Sequence, residues 1–134
     1  MTVFIDTSAF YAVLDADDDN YSTAEKIWNF ALENDVHFVS HNYILIETIA
    51  LLQNRIGLES VHTFEQDILP VIGVHWIGQE THQRGMSALL TASRRRLSLV
   101  DCISFEIMRE KEITVFFAFD DHFSEQGFEL LAAR

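Results

Sequence analysis

Ile113-Thr114-Val115-Phe116-Phe117-Ala118-Phe119 is a continuous apolar run, and it stops abruptly at Asp120-Asp121-His122. A strand buried on both faces reads this way, because neither side of its pleat meets water. The run is therefore expected to be the central strand of a parallel sheet.

Before the run, Ser98 to Arg109 is expected to be a helix, and Ser98 and Asp101 have the Ser-x-x-Asp spacing of a capping box. Glu80 to Arg96 is also expected to be helical, with Met86, Leu89 and Leu90 facing inward and His82 and Arg84 at the surface. Val71 to Ile77 is β-like. Leu58 to Leu69 is expected to form a helix ended by Pro70. Asn42 to Asn54 reads as a helix apolar nearly all round, with Glu47 its only charge. His37 to Ser40 reads as a strand. His37 and His41 have the spacing of a helical zinc pair, but on extended backbone they are read as structural.

Ser22 to Leu32 has a helical rhythm in Ala24, Ile27, Trp28, Ala31 and Leu32. At the start, Thr2 to Ile5 reads as a strand running through Asp6-Thr7-Ser8 into a helix from Ala9 to Leu14. After the apolar run come a short helix and a last strand, Phe128 to Leu131. The alternation predicts an α/β/α sandwich: a parallel sheet of four to five strands with helices on both faces, in one domain spanning 1–134.

Composition narrows the function. The 134 residues are 49% hydrophobic and 22% charged, a globular balance. A single cysteine, Cys102, excludes an internal disulfide and suits a reducing compartment. The opening Met-Thr-Val-Phe-Ile-Asp has no basic residue and reaches Asp6 too early for a signal peptide. No apolar run reaches the length of a membrane span. A cytoplasmic location is expected.

The net charge of −12 opposes broad attraction to nucleic acid. The basic residues are unevenly placed, however: residues 1 to 50 hold only Lys26, whereas Arg94, Arg95 and Arg96 stand together. That triplet reads either as a solvated helix end or as a contact for an RNA backbone. Asp15, Asp17, Asp18 and Asp19 hint at a calcium loop. Asn20 stands where the loop needs Gly, though, and Lys26 stands where it needs the closing acid, so they read as a solvated turn.

Four acids remain in apolar settings: Asp6, Glu47, Asp101 and Asp120. Each has a bland explanation. Asp6 and Asp101 would cap helices, and Glu47 would have an Arg partner or an exposed edge. Parallel sheets, however, place their working crevice outside the carboxyl ends of the strands, and all four acids map there. Carboxylates gathered in an apolar crevice repel one another and call for a cation. An all-oxygen set selects Mg²⁺ or Mn²⁺ over Zn²⁺. Such an ion suits phosphodiester hydrolysis. Thr7 and Ser8 are candidate supporting hydroxyls, for a carboxylate or a metal-bound water.

Four segments together resemble a PIN domain, specifically the toxin ribonuclease of a VapBC-type toxin–antitoxin pair. They are Phe4-Ile5-Asp6-Thr7-Ser8, Ile44-Leu45-Ile46-Glu47-Thr48, Leu99-Val100-Asp101-Cys102-Ile103-Ser104-Phe105, and Phe117-Ala118-Phe119-Asp120-Asp121-His122-Phe123 with Gly127-Phe128 behind. The resemblance spans nearly the whole chain. It implies a Mg²⁺- or Mn²⁺-dependent endoribonuclease acting on RNA such as tRNA. It also implies a homodimer, and an antitoxin whose tail blocks the acidic pocket. By motif position, the four acids of the family correspond to Asp6, Glu47, Asp101 and Asp120, with Asp121 the competitor for the fourth. Ala118 stands where the family commonly has Thr or Ser.

Other readings compete. A catalytically silent binding module would keep the acids for structure or antitoxin contact. A receiver-like phosphoacceptor would want a Lys at a strand end, which Ile113 to Phe119 lacks. A haloacid-dehalogenase-type phosphatase would need Asp where Ser8 stands.

Overall fold

The computed structural model describes residues 1–133. Its elements are β1 (Thr2–Ile5), α1 (Thr7–Leu14), α2 (Tyr21–Glu33), β2 (His37–His41), α3 (Asn42–Arg55), α4 (Leu58–Thr63), β3 (Ile72–His75), α5 (Gln79–Ala92), α6 (Leu99–Glu110), β4 (Val115–Phe117), α7 (His122–Glu125) and β5 (Glu129–Leu130). The five strands form one sheet in the order β3-β2-β1-β4-β5, and every pairing is parallel.

That order decides where a site can form. The chain steps from β1 to β2 to β3 in one direction, then jumps back to place β4 on the other side of β1. Crossovers between parallel strands are right-handed, so reversing the direction moves the connecting helices to the opposite face. Accordingly α1, α3 and α4 pack together, while α5 packs on α6. The reversal falls between β1 and β4, and the crevice of a doubly wound sheet opens at such a switch point. Phe4 pairs with Phe116 and Ile5 with Phe117 there, so Asp6 and the segment 118–122 leave the sheet side by side.

The core is aromatic. Phe123 is fully buried against Phe116 and Phe105, with ring centroids 5.0 Å and 5.2 Å away, and against Phe4 at 5.9 Å. It anchors the segment that carries Asp120 and His122. On the same side, Gly85 is where α5 meets α6: a Cβ there would lie 2.3 Å from Cδ1 of Ile103, so any larger residue would have to displace that side chain.

Several boundaries differ from the sequence expectations. The run expected to be the central strand is β4, which lies second from the edge while β1 holds the middle, and it contributes only Val115–Phe117 to the sheet. The amide of Ile113 closes the end of α6 by donating to Met108 O at 2.8 Å, and the amide of Phe119 donates to Ser8 Oγ at 2.9 Å, so neither joins the ladder. Leu58–Leu69 is not one helix. After α4 the turns widen to a π-turn over Phe64–Ile68 and tighten to a 3₁₀ turn over Leu69–Val71, which contains Pro70. The helix expected to reach Arg96 stops at Ala92. Ser93 turns left-handed (φ 49°) and its Oγ donates to Leu90 O at 3.0 Å, leaving Arg94–Arg96 in the loop before α6. Leu90 is 69% exposed, not inward, because the buried face of α5 runs through Gly85 and Leu90 lies round the helix from it. Leu32 is likewise exposed.

Candidate metal and active site

Asp6 follows β1 directly, on extended backbone. Its amide continues the sheet pattern by donating to Phe117 O at 3.1 Å. Its carboxyl caps α1: Oδ2 accepts from Ser8 Oγ at 3.0 Å and from Ser8 N at 3.3 Å. Ser8 Oγ in turn accepts from Phe119 N, so this hydroxyl fastens the end of β1 to the segment leaving β4. Thr7 is buried one residue away. Its Oγ1 accepts from Thr48 Oγ1 at 3.0 Å and approaches Ile44 O at 3.4 Å, tying α1 to the turn of α3 that carries Glu47.

Asp101 is the third residue of α6 and completes the expected capping box. Its amide donates to Ser98 Oγ at 3.0 Å, and Ser98 N donates to Asp101 Oδ2 at 3.1 Å. The same Oδ2 lies 3.1 Å from His122 Nδ1. Asp120 Oδ1 accepts from His122 N at 3.0 Å and sits 4.0 Å from His122 Nδ1. Asp101, Asp120 and His122 each present one ligand atom, and those atoms lie within 4.8 Å of one another.

Asp6 and Glu47 stand outside that tight set but inside its field. Burial pushes the Asp6 carboxyl up to about 7, and repulsion from Asp120 and then Asp101 adds to it, against the opposing hydrogen bonds from Ser8. Loss of hydration likewise raises Asp120 above the usual carboxylate range, with Asp101 adding. The Glu47 carboxyl is raised by partial desolvation, then by Asp101 and Asp120, with a hydrogen bond from Thr7 opposing. The side chain of Glu47 itself is exposed, which corrects the expectation of a buried acid. It lines an open groove along α3 with Thr7, Ala50, Leu51 and Asn54, so one face of its helix is solvated rather than covered.

Among the described residues, no Lys or Arg is ion-paired with any of the four acids. The basic triplet is split: Arg94 pairs with Glu125 of α7 at 2.9 Å, while Arg95 and Arg96 are exposed. His41 is fully buried with Nε2 2.9 Å from Ser104 Oγ, and His37 is exposed, so they form no shared site. Sequence reasoning missed His122. The signal available was its place two residues after Asp120, at the end of a buried strand.

The donor set fits a divalent cation. Two carboxylates and an imidazole converge, two further acids lie in the same field, and among the described residues none is paired with a Lys or Arg.

This fold, with acids gathered at its switch point, defines a class, and the sequence matches the PIN domain over residues 3–129. The chain belongs to the PIN-domain family. Within it, the chain is similar to the 23S rRNA-specific endonuclease VapC20 of Mycobacterium tuberculosis. The two are 33% identical over 127 residues, covering 94% of this chain and 95% of VapC20. The crystal structure of M. tuberculosis VapC20, a sarcin-ricin loop cleaving toxin, superposes with a TM-score of 0.83 at 30% identity, covering 94% and 95% of the two chains.

Proposed function

We propose that the protein is a VapC-type toxin ribonuclease that hydrolyses RNA phosphodiester bonds with a divalent ion, Mg²⁺ or Mn²⁺. The observation that carries this reading is the set of converging acids without a Lys or Arg partner among the described residues, in a PIN fold. Asp101 and Asp120 would hold the ion most directly, Asp6 would complete the site from the end of β1, and Glu47 would close it from the rim. When bound, the ion supplies the positive charge that activates water and offsets charge on the phosphate. The chain's part is to fix the geometry. Ser8 orients Asp6, Ser98 orients Asp101, and the buried Phe123 holds the Asp120 segment still.

RNA is the substrate class, and the name of VapC20 makes structured ribosomal RNA the first to test, with tRNA beside it. An antitoxin partner and a homodimer belong to the same reading, within one domain. Exposed apolar side chains such as Ile46, Leu58 and Trp76 offer surface for such contacts, as does the groove lined by Thr7, Glu47 and Leu51. No helix among the described residues is long and apolar enough to cross a membrane.

The test is incubation of ribosomal RNA and a tRNA pool with the purified protein, in Mg²⁺ or Mn²⁺ and then in chelator. Discrete cleavage products that vanish with chelator are expected. RNA left intact with either metal, or cleaved equally in chelator, overturns the reading.

A further inference from the structure

We propose that His122 is a direct ligand of the bound ion, giving this site a nitrogen donor beside its carboxylates and a bias toward Mn²⁺ over Mg²⁺. The inference rests on the metal-dependent reading above and adds to it a residue and a selectivity.

The geometry carries it. His122 Nδ1 lies 3.1 Å from Asp101 Oδ2 and 4.0 Å from Asp120 Oδ1. Adjacent donors on an octahedral ion with bonds near 2.1 Å sit about 3 Å apart, and opposite donors about 4.2 Å. The nitrogen thus stands where a third donor of the same ion would stand. The ring is also held: its own backbone amide donates to Asp120, and the next residue, Phe123, is fully buried. Without an ion, His122 Nδ1 lies within hydrogen-bond reach of Asp101 Oδ2. To ligate, Nδ1 presents its lone pair and the ring keeps its proton on Nε2, while any second proton leaves to solvent.

An imidazole changes what the site prefers. Hard Mg²⁺ favours oxygen, whereas affinity for nitrogen rises along the transition metals. An all-carboxylate site would lack this bias.

The experiment loads the full chain with Mn²⁺ and reads electron spin-echo modulation, which detects nitrogen bound directly to manganese. A ¹⁴N coupling typical of a ligated imidazole is expected, and it should change to the ¹⁵N pattern when histidine alone is ¹⁵N-labelled. Among the described residues, His122 is the histidine grouped with the acids, so the labelled native protein suffices even if a variant folds poorly. His122→Ala should remove the coupling and weaken Mn²⁺ binding about tenfold or more, with Mg²⁺ affinity changed far less. Bound Mn²⁺ without nitrogen coupling, or coupling that persists in His122→Ala, overturns this inference and leaves the metal-dependent reading standing. Failure to bind Mn²⁺ or Mg²⁺ at millimolar concentration overturns both.

Discussion

Two groups of acids that bridge separate elements differ in one respect: one is built around an arginine and the other is not. On the α5–α6 face, Glu80, Glu106 and Glu110 surround Arg84 at 3.2, 3.5 and 4.0 Å. That group is largely solvated, and its charge is offset within the protein. At the switch point of the sheet, Asp6, Asp101 and Asp120 gather with Glu47 at the rim, and among the described residues the basic group beside them is the imidazole of His122. Asp6 and Asp101 are 5% and 9% exposed, so water does little to screen them. Acids that include an arginine are a feature of the surface. Acids that are buried without one either keep their protons or bind a cation, and the raised Asp6 carboxyl shows how strongly its charge is disfavoured there.

Exchanging one acid in each cluster would break that comparison most sharply. Asp101→Asn should lower metal-dependent RNA cleavage by roughly a thousandfold, about 4 kcal/mol in the barrier, because a charged ligand is lost from the reacting centre. The metal-free protein should be no less stable. The asparagine oxygen still accepts from Ser98 N, and one repelling charge is gone. Glu106→Gln, in the arginine-centred cluster, should leave cleavage within about twofold, since surface substitutions rarely reach beyond their own neighbours. Cleavage rates and urea midpoints of the two variants check both halves. Parent-like cleavage by Asp101→Asn would erase the distinction between the clusters.

The next largest effect is on pH dependence. Asp6 binds its proton more tightly in the folded chain, at about 7, than its ordinary 3.8. Between those values the folded state holds more protons, so this group makes the metal-free protein less stable as pH rises from about 4 to 7. His41 acts in the opposite sense. Burial lowers it to about 3 from 6.5, so its contribution to stability is lost as pH falls below 6.5. The two overlap, and the parent's profile alone mixes them. The informative quantity is Asp6→Asn minus parent, measured without metal. It should grow with pH to about 2–3 kcal/mol in favour of the variant near pH 7, less than the full linked shift allows because the site relaxes. A flat difference from pH 4 to 8 would show that the Asp6 charge meets no penalty.

How far these clusters were legible in the sequence follows from what each residue's environment depends on. Asp6 and Asp101 could be placed because local features fix them, a strand that stops and a Ser-x-x-Asp cap. The α/β/α order was legible for the same reason. Glu47 was placed in the right element and given the wrong exposure, because an apolar helix does not reveal which of its sides lines an open groove. The network on Arg84 joins side chains of two helices and has no local signature. His122 reaches Asp101 across 21 residues, and its partnership appears only when β4 and α6 are in place. The end of α5 turned on one hydroxyl, Ser93, which no periodicity announces.

A divalent ion should sharpen the contrast in stability. At about thirty times its Kd, Mg²⁺ or Mn²⁺ should stabilise the parent by about 2 kcal/mol, several degrees in Tm, because it binds only where the acids are assembled. Asp101→Asn should lose most of that gain. Arg84→Ala should keep it, although that variant frees three acids on the other face, since exposed carboxylates hold divalent ions weakly. Thermal melts with metal and with chelator decide the matter. An equal gain in all three proteins would mean the ion binds the surface at large.

The smallest effect concerns the arginines of the loop before α6. Arg94 is already engaged with Glu125 at 2.9 Å, which ties its loop to the helix bearing His122. Arg95 and Arg96 are exposed and, among the described residues, have no ion-pair partner, so they are the members of the triplet able to meet a phosphate. Each phosphate neutralised contributes about 0.7 to 0.9 to the slope of log affinity against log salt. Replacing Arg95 and Arg96 with Ala should therefore flatten the slope of RNA binding by about 1.5 and weaken binding several-fold at moderate salt, with the metal-dependent Tm gain unchanged. Arg94→Ala alone should leave the slope nearly intact while loosening the loop. The result would separate two kinds of charge in one acidic protein, acids that recruit a cation and arginines that recruit a polyanion. A slope unchanged in the double variant would return Arg95 and Arg96 to the solvent and leave the groove along α3 as the path by which RNA approaches the acids.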